Sequence, residues 1–277
     1  MTEIQKEIQE KWENATFTNN FLFCKILSSD LDLCRELLEL LLGMEIDHLE
    51  LAQSERAVKA DIGSHGVRFD VYARDDGRIF DVELQSAETD DLAKRARYYQ
   101  GVIDVDNLPE GVFYSGLKDS YVIFICLFDL FGRGLPVYTF ENICIEDSAV
   151  RLNDRAVKVF FNTRACDRIS DGRLRSLFKY MTDARAESEL TRRIEAGVAR
   201  AKRNQDWRKN FMTWEQSIRY EGVRAGKERA REVAENLLHE TNLPPEQIAR
   251  CCSIPVDDVL ALRKRIAQET ETDGRAL

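Results

Sequence analysis

Polar and apolar residues alternate one by one along Arg68-Phe69-Asp70-Val71-Tyr72 and again along Phe80-Asp81-Val82-Glu83-Leu84-Gln85. Alternation with period two predicts two strands, and the intervening Asp76-Gly77 is the dipeptide that best supports the tight, positive-φ loop of a hairpin. With a two-residue loop Asp75 pairs with Arg78, Val71 lies opposite Val82, and Asp70 lies opposite Glu83. Arg68 then faces Gln85 and Tyr72 faces Asp81 on one side of the hairpin. Phe69, Val71, Val82 and Leu84 make the other side, which the pattern assigns to the core.

Elsewhere the apolar spacing is mostly helical. Residues 3–13 and 30–42 read as helices, the second capped by Asp30 and burying Leu33, Leu37, Leu38, Leu41 and Leu42. Glu36 and Glu39 are three apart and share one face of it. Residues 17–26 suit a helix or a packed loop, residues 46–61 hold a strand-like stretch, and a turn at residues 63–66 leads into the hairpin. Residues 87–105 read as a helix with Glu88, Asp90 and Asp91 in its first turn, followed by Lys94, Arg95, Arg97, Tyr98 and Tyr99. The nearly continuous apolar run at 121–130 predicts a central strand covered on both faces, with further strands at 137–145 and 156–161. Strands interleaved with a helix after a hairpin describe a mixed α/β sheet.

Past Asp171 helix formers and charges dominate. Leu174, Leu177, Phe178 and Met181 mark one amphipathic helix, and Trp207, Phe211, Trp214 and Ile218 mark a second apolar stripe. Gly222 and Gly226 interrupt the next stretch, which reads as a helical spacer or oligomerisation arm. Residues 244–265 have the apolar spacing of a helix-turn-helix, but Asp257 and Asp258 would open its second helix and repel DNA phosphates. Residues 268–277 are expected to be a disordered tail. The expected division is an α/β domain at 1–182, a charged helical linker or oligomerisation arm at 183–236, and a small helical module at 237–277.

Composition narrows the function. The net charge of −9 gives no global attraction to nucleic acid, so any such contact must be local. Seven cysteines without CxxC spacing point to reduced, mostly buried thiols. Three histidines, with no plausible Ser-His-Asp set, disfavour triad hydrolysis and a histidine-bound metal. Without an apolar leader or a membrane-length apolar run, the chain is expected in the cytoplasm, with no membrane partner.

The hairpin carries the sharpest chemistry. Directly opposed side chains in a sheet lie roughly 4.5–5.5 Å apart at Cβ, where like charges destabilise the pair. A divalent cation with hard oxygen ligands would offset that repulsion, and Mg²⁺ commonly takes one or two carboxylates while leaving positions for water and phosphate. An acidic pair on a solvated hairpin face is the competing reading. The basic and aromatic residues of the following helix could grip a phosphate backbone, or be solvated charges and packed tyrosines.

Asp70 followed by Glu83-Leu84-Gln85 resembles the D…ExQ variant of the PD-(D/E)XK nuclease core. The stretches RFDVYARDDGRIFDVELQ, KRARYYQ and Gly111-Val112-Phe113-Tyr114 resemble the Rpn family of recombination-promoting nucleases and putative transposases. The resemblance implies a restriction-endonuclease-like α/β core, a mixed sheet flanked by helices, with a C-terminal helical extension. It implies a DNA endonuclease using Mg²⁺, or Mn²⁺, with Asp70 and Glu83 holding the metal and Glu36 or Glu39 completing its shell. Gln85 would stand where the namesake motif has lysine, and an amide orients without adding charge. Arg68, opposite Gln85 in this register, could restore the charge, and Arg95 and Tyr99 are candidates for backbone contact. The rival is a catalytically inactive DNA- or protein-binding module of a mobile element, the C-terminal helices providing homo-oligomer assembly.

Overall fold

A computed structural model describes residues 2–58 and 66–273. The expected turn around His65 lies outside the described residues, as do the last four positions of the expected tail. The chain divides into two compact units, residues 9–208 and residues 1–8 with 209–277.

The elements run α1 (Glu3–Asn14), α2 (Asn20–Ser29), α3 (Leu31–Leu42), β1 (Leu51–Val58), β2 (Val67–Arg74), β3 (Arg78–Gln85), α4 (Leu92–Asn107), β4 (Asp119–Cys126), β5 (Val137–Phe140) and β6 (Ala156–Asn162). They continue as α5 (Gly172–Asp183), α6 (Glu189–Arg203), α7 (Gln205–Glu240), α8 (Pro245–Cys252) and α9 (Val256–Asp273). Among the described residues six strands form one sheet in the order β1-β2-β3-β4-β6-β5. β3 and β6 each run parallel to β4, and the other neighbours are antiparallel, so the sheet is mixed as expected. The parallel step from β3 to β4 is made through α4, as a crossover connection requires.

Two layers of helix cover this sheet. Phe124 of β4 and Phe160 of β6 stack at 5.4 Å and pack in one cluster with Leu92, Ala96 and Ile103 of α4. On the opposite face Phe161 meets Phe178 of α5 edge to face at 5.8 Å, while α2 packs on β1 and β2 and α6 packs on α2 and α3. Asn19 caps α2 and Asp30 caps α3 through side-chain acceptors, satisfying N–H groups a helix start leaves open. Gly43, at φ 64, ends α3 in the left-handed conformation that glycine adopts without strain.

Several boundaries differ from the sequence expectation. α4 begins at Leu92, so Glu88 and Asp90 precede it instead of filling its first turn. β5 stops at Phe140 because the chain doubles back over residues 141–154, held by Arg151–Glu141 and Asn142–Asp154 contacts. α9 continues through residues 268–273, which were expected to be unstructured. In the second unit Ile248 and Ala249 of α8 and Val259 of α9 pack with Ala234 of α7, and Arg231 pairs with Asp258. No helix of the described residues is long and apolar enough to cross a membrane.

Candidate active site

The hairpin has the expected register, with Val71 opposite Val82 and Tyr72 opposite Asp81, and Asp75 N–H bonds the Arg78 carbonyl across the loop. Neither Asp76 nor Gly77 takes a positive φ. Asp75 builds the turn instead: its carboxylate accepts from Gly77 N–H at 3.0 Å and Arg78 N–H at 2.6 Å, and pairs with the Arg78 guanidinium. Side-chain mimicry of a turn hydrogen bond replaces the special dihedrals.

Regular pairing stops at Val71–Val82, one step before the acidic residues. Asp70 N–H donates to Glu83 Oε1 at 2.8 Å, and Leu84 N–H donates to Asp70 Oδ2 at 3.1 Å. Each acid therefore satisfies a backbone donor of the opposite strand. Strict alternation breaks here as well. Phe69, expected on the face opposite Tyr72, lies 5.6 Å from the Tyr72 ring and 5.4 Å from that of Tyr99, in the α4 cluster. On β1, Glu55 takes a φ of 54 between the pairs Ser54–Val71 and Arg56–Phe69, at the level of Asp70. A left-handed glutamate in a strand is strained, and such strain gathers where function over-determines the backbone.

The polar side of β3 is not a solvated face. Asp81 and Glu83 are buried and Asp70 is half-buried; β4 pairs alongside β3, and α4 packs on this side of the sheet. The parallel pairing sets Glu83 beside Phe124 and Gln85 beside Cys126. Neither oxygen of Asp81 meets an N–H donor, and the hydrogen bond open to its carboxyl is one shared with the carboxyl of Glu83. Burial pushes the Asp81 carboxyl well up, with the Glu83 charge adding to it. Burial and the Asp70 charge push Glu83 up, against Asp70 N–H and Arg95. Asp70 is likewise raised by burial, against Leu84 N–H, Arg68 and Arg95. Asp81 carries no role in the sequence pattern except its place two before Glu83 on the same strand face.

Arg95 supplies the guanidinium beside these acids. It donates to Gln85 Oε1 at 3.3 Å and to Tyr99 Oη at 3.1 Å, and lies 3.6 Å from Glu83 Oε2. Its guanidinium sits 5.5 Å from the Tyr99 ring centre and 5.7 Å from that of Phe124. Arg68, expected to answer Gln85, is exposed, and its charge acts on Asp70 instead. Gln85 donates its amide to Ala87 O at 2.6 Å.

Glu36 and Glu39 have other partners. Glu36 binds Arg173 at 2.9 Å and Arg193 at 2.5 Å. Glu39 accepts from Ile46 N–H at 3.0 Å and from Arg35 at 3.1 Å. Among the described residues no three His, Cys, Asp or Glu side chains stand together as a metal-holding group.

A mixed sheet between helices, carrying an Asp and a Glu across its β2–β3 hairpin, defines a restriction-endonuclease-like core. A family model described as PD-(D/E)XK nuclease family transposase matches residues 17–155, half of the chain, and the chain belongs to that family. Membership carries a function of nuclease type. Neither a curated protein nor a solved structure matched the chain.

Proposed function

We propose that the protein is a metal-dependent DNA endonuclease serving mobile elements or recombination, with Asp70 and Glu83 as its metal-holding pair. The observation that carries the reading is the donor set at the hairpin. Asp70 and Glu83 each commit one oxygen to a backbone N–H, Oδ2 and Oε1 respectively, which fixes the carboxylates and leaves Asp70 Oδ1 for a cation, beside a Glu83 Oε2 that already faces Arg95 at 3.6 Å. With Asp81 they bring three carboxyls together near Arg95, with Arg68 acting on Asp70 as well, and burial that disfavours the charged form of all three is relieved when a further positive charge joins them. Hard carboxylate oxygens fit Mg²⁺ or Mn²⁺, which needs only one or two of them.

When bound, such a cation supplies Lewis-acid stabilisation to a phosphate oxygen. The chain's own residues do the rest. The reciprocal backbone hydrogen bonds hold the carboxylates in place before substrate arrives, so little reorganisation is needed. Tyr99 and Arg95 border the acids from α4 and offer hydrogen-bond donors to the strand of DNA. The C-terminal helices α7, α8 and α9 are proposed to assemble copies of the chain.

Purified protein is incubated with plasmid and Mg²⁺ or Mn²⁺ beside Asp70→Asn and Glu83→Gln, and its melting temperature is read with metal and with chelator. Cleavage and metal-induced stabilisation in the parent, both absent from the variants, support the proposal. Equal cleavage in all three, or none in the parent, sinks it.

A further inference from the structure

Gln85 occupies the strand position where the namesake motif has lysine, yet its amide is hydrogen-bonded at both ends. Its NH₂ donates to Ala87 O at 2.6 Å and its oxygen accepts from Arg95 at 3.3 Å. The acceptor at Ala87 is a carbonyl, which requires the nitrogen on that side and sets the amide's orientation. In this arrangement Gln85 turns its acceptor to the guanidinium, and the hydrogen bond its NH₂ makes goes to Ala87 O instead of to Asp70 or Glu83. Lysine's contribution at such a site is a positive charge with N–H donors, and the group that has both and contacts Gln85 and Glu83 is Arg95.

Four contacts fix the Arg95 guanidinium: the Gln85 oxygen, the Tyr99 hydroxyl, and the ring faces of Tyr99 and Phe124, with Glu83 Oε2 at 3.6 Å. The side chain is still 30% exposed, so part of a planar five-donor fork remains within reach of a phosphate. Phe124 is held in turn by stacking on Phe160 at 5.4 Å, so the guanidinium rests on the sheet core and not on a mobile loop.

We infer that Arg95 has taken over the lysine's role, contacting the phosphate under attack from α4, while Gln85 is a positioning residue that brackets Arg95. Strand and helix have exchanged parts: the charge moved from β3 to the first turns of α4, and the strand position kept a neutral clamp. This rests on the nuclease reading above.

The full-length chain tests it with Arg95→Met, which retains an apolar stem over Tyr99 and Phe124, and with Gln85→Lys added to Arg95→Met. Binding of a labelled duplex is measured against salt in chelator, and single-turnover cleavage is measured with Mg²⁺. Arg95→Met is expected to lower the salt slope by about 0.9, the loss of one phosphate contact. It is expected to slow cleavage at saturating DNA by about 100-fold, the scale of one lost charge-stabilising donor. The lysine on β3 is expected to recover about tenfold or more of that rate and the salt slope, because it returns charge to the same phosphate. Arg95→Met that cleaves within about twofold of the parent, an unchanged salt slope, or a double variant as slow as Arg95→Met overturns the assignment. A parent that never cleaves overturns the nuclease reading itself, which is a different result.

Discussion

Asp70 and Glu83 hold each other's strands: Asp70 N–H donates to the Glu83 carboxylate at 2.8 Å, and the Asp70 carboxylate accepts from Leu84 N–H at 3.1 Å. The two acids thus do the work of a missing ladder rung with one oxygen each, while the second oxygen of Glu83 faces Arg95. Structural and chemical duties fall on the same side chains and are separable by substitution. Glu83→Gln keeps an acceptor for Asp70 N–H and removes a carboxyl whose charged form burial and the Asp70 charge disfavour, so its stability without metal is expected to equal or exceed the parent's. Glu83→Ala leaves that donor unsatisfied and is expected to cost about 1–3 kcal/mol. Urea unfolding of the three proteins checks the order, and both variants should lose cleavage.

Glu36 and Glu39 give the opposite pattern. Glu36 ties α3 to Arg173 of α5 and Arg193 of α6, and Glu39 anchors Ile46 N–H beyond the end of α3. Partly exposed ion pairs contribute little each, so Glu36→Gln is expected to cost about 0.5–1 kcal/mol. Cleavage by Glu36→Gln and Glu39→Gln should stay near the parent's at a temperature where both are folded. A folded variant that has lost cleavage would return that acid to the metal shell.

Asp129 closes the turn after β4. Its carboxylate accepts from Tyr138 Oη at 2.7 Å, Gly134 N–H at 2.6 Å and Phe131 N–H at 3.3 Å. Burial pushes this carboxyl up, but the hydrogen bonds together prevail and hold it below the ordinary carboxylate range. A carboxyl lower in the folded than in the unfolded chain makes the unfolded chain bind more protons between the two values, so stability rises with pH there. The contribution of Asp129 is therefore complete above the unfolded value of about 4 and is lost as the pH falls through the folded one. Urea midpoints of parent and Asp129→Asn are expected to converge as the pH drops below about 4 and to stay apart above it.

Much of the hairpin was legible because it is local. Period-two alternation and a turn after Asp75 determine which residue of β2 meets which residue of β3, and the separation Asp70 to Glu83 follows by counting. The helix α3, its Asp30 cap and the apolar strand β4 were legible for the same reason: capping chemistry and periodicity act over a few residues. The nature of the turn was not, since Asp75 supplies by side chain what Asp76-Gly77 could have supplied by dihedral angles.

Other features required the fold. A hairpin's polar face looks solvated in the sequence, and only the parallel pairing of β3 with β4, formed across the α4 crossover, buries Asp81 and Glu83. Alternation predicts Phe69 away from Tyr72, and only the substitution of carboxylates for ladder bonds at Asp70, matched by the left-handed Glu55 on β1, turns it to the α4 side. Glu36 and Glu39 share a helix face with the right spacing, but helix packing turns Glu36 to Arg173 and Arg193 far along the chain, while Glu39 is taken up by Arg35 and Ile46 N–H. Arg95 and Gln85 are ten residues apart with a strand end and a helix start between them, and no periodicity relates them. What the chain's sequence determined by itself is the pair of acids and the register that joins them; the tertiary structure decided that Glu83 is buried and that Arg95 stands beside it, because burial and charge pairing depend on neighbours that only packing brings close.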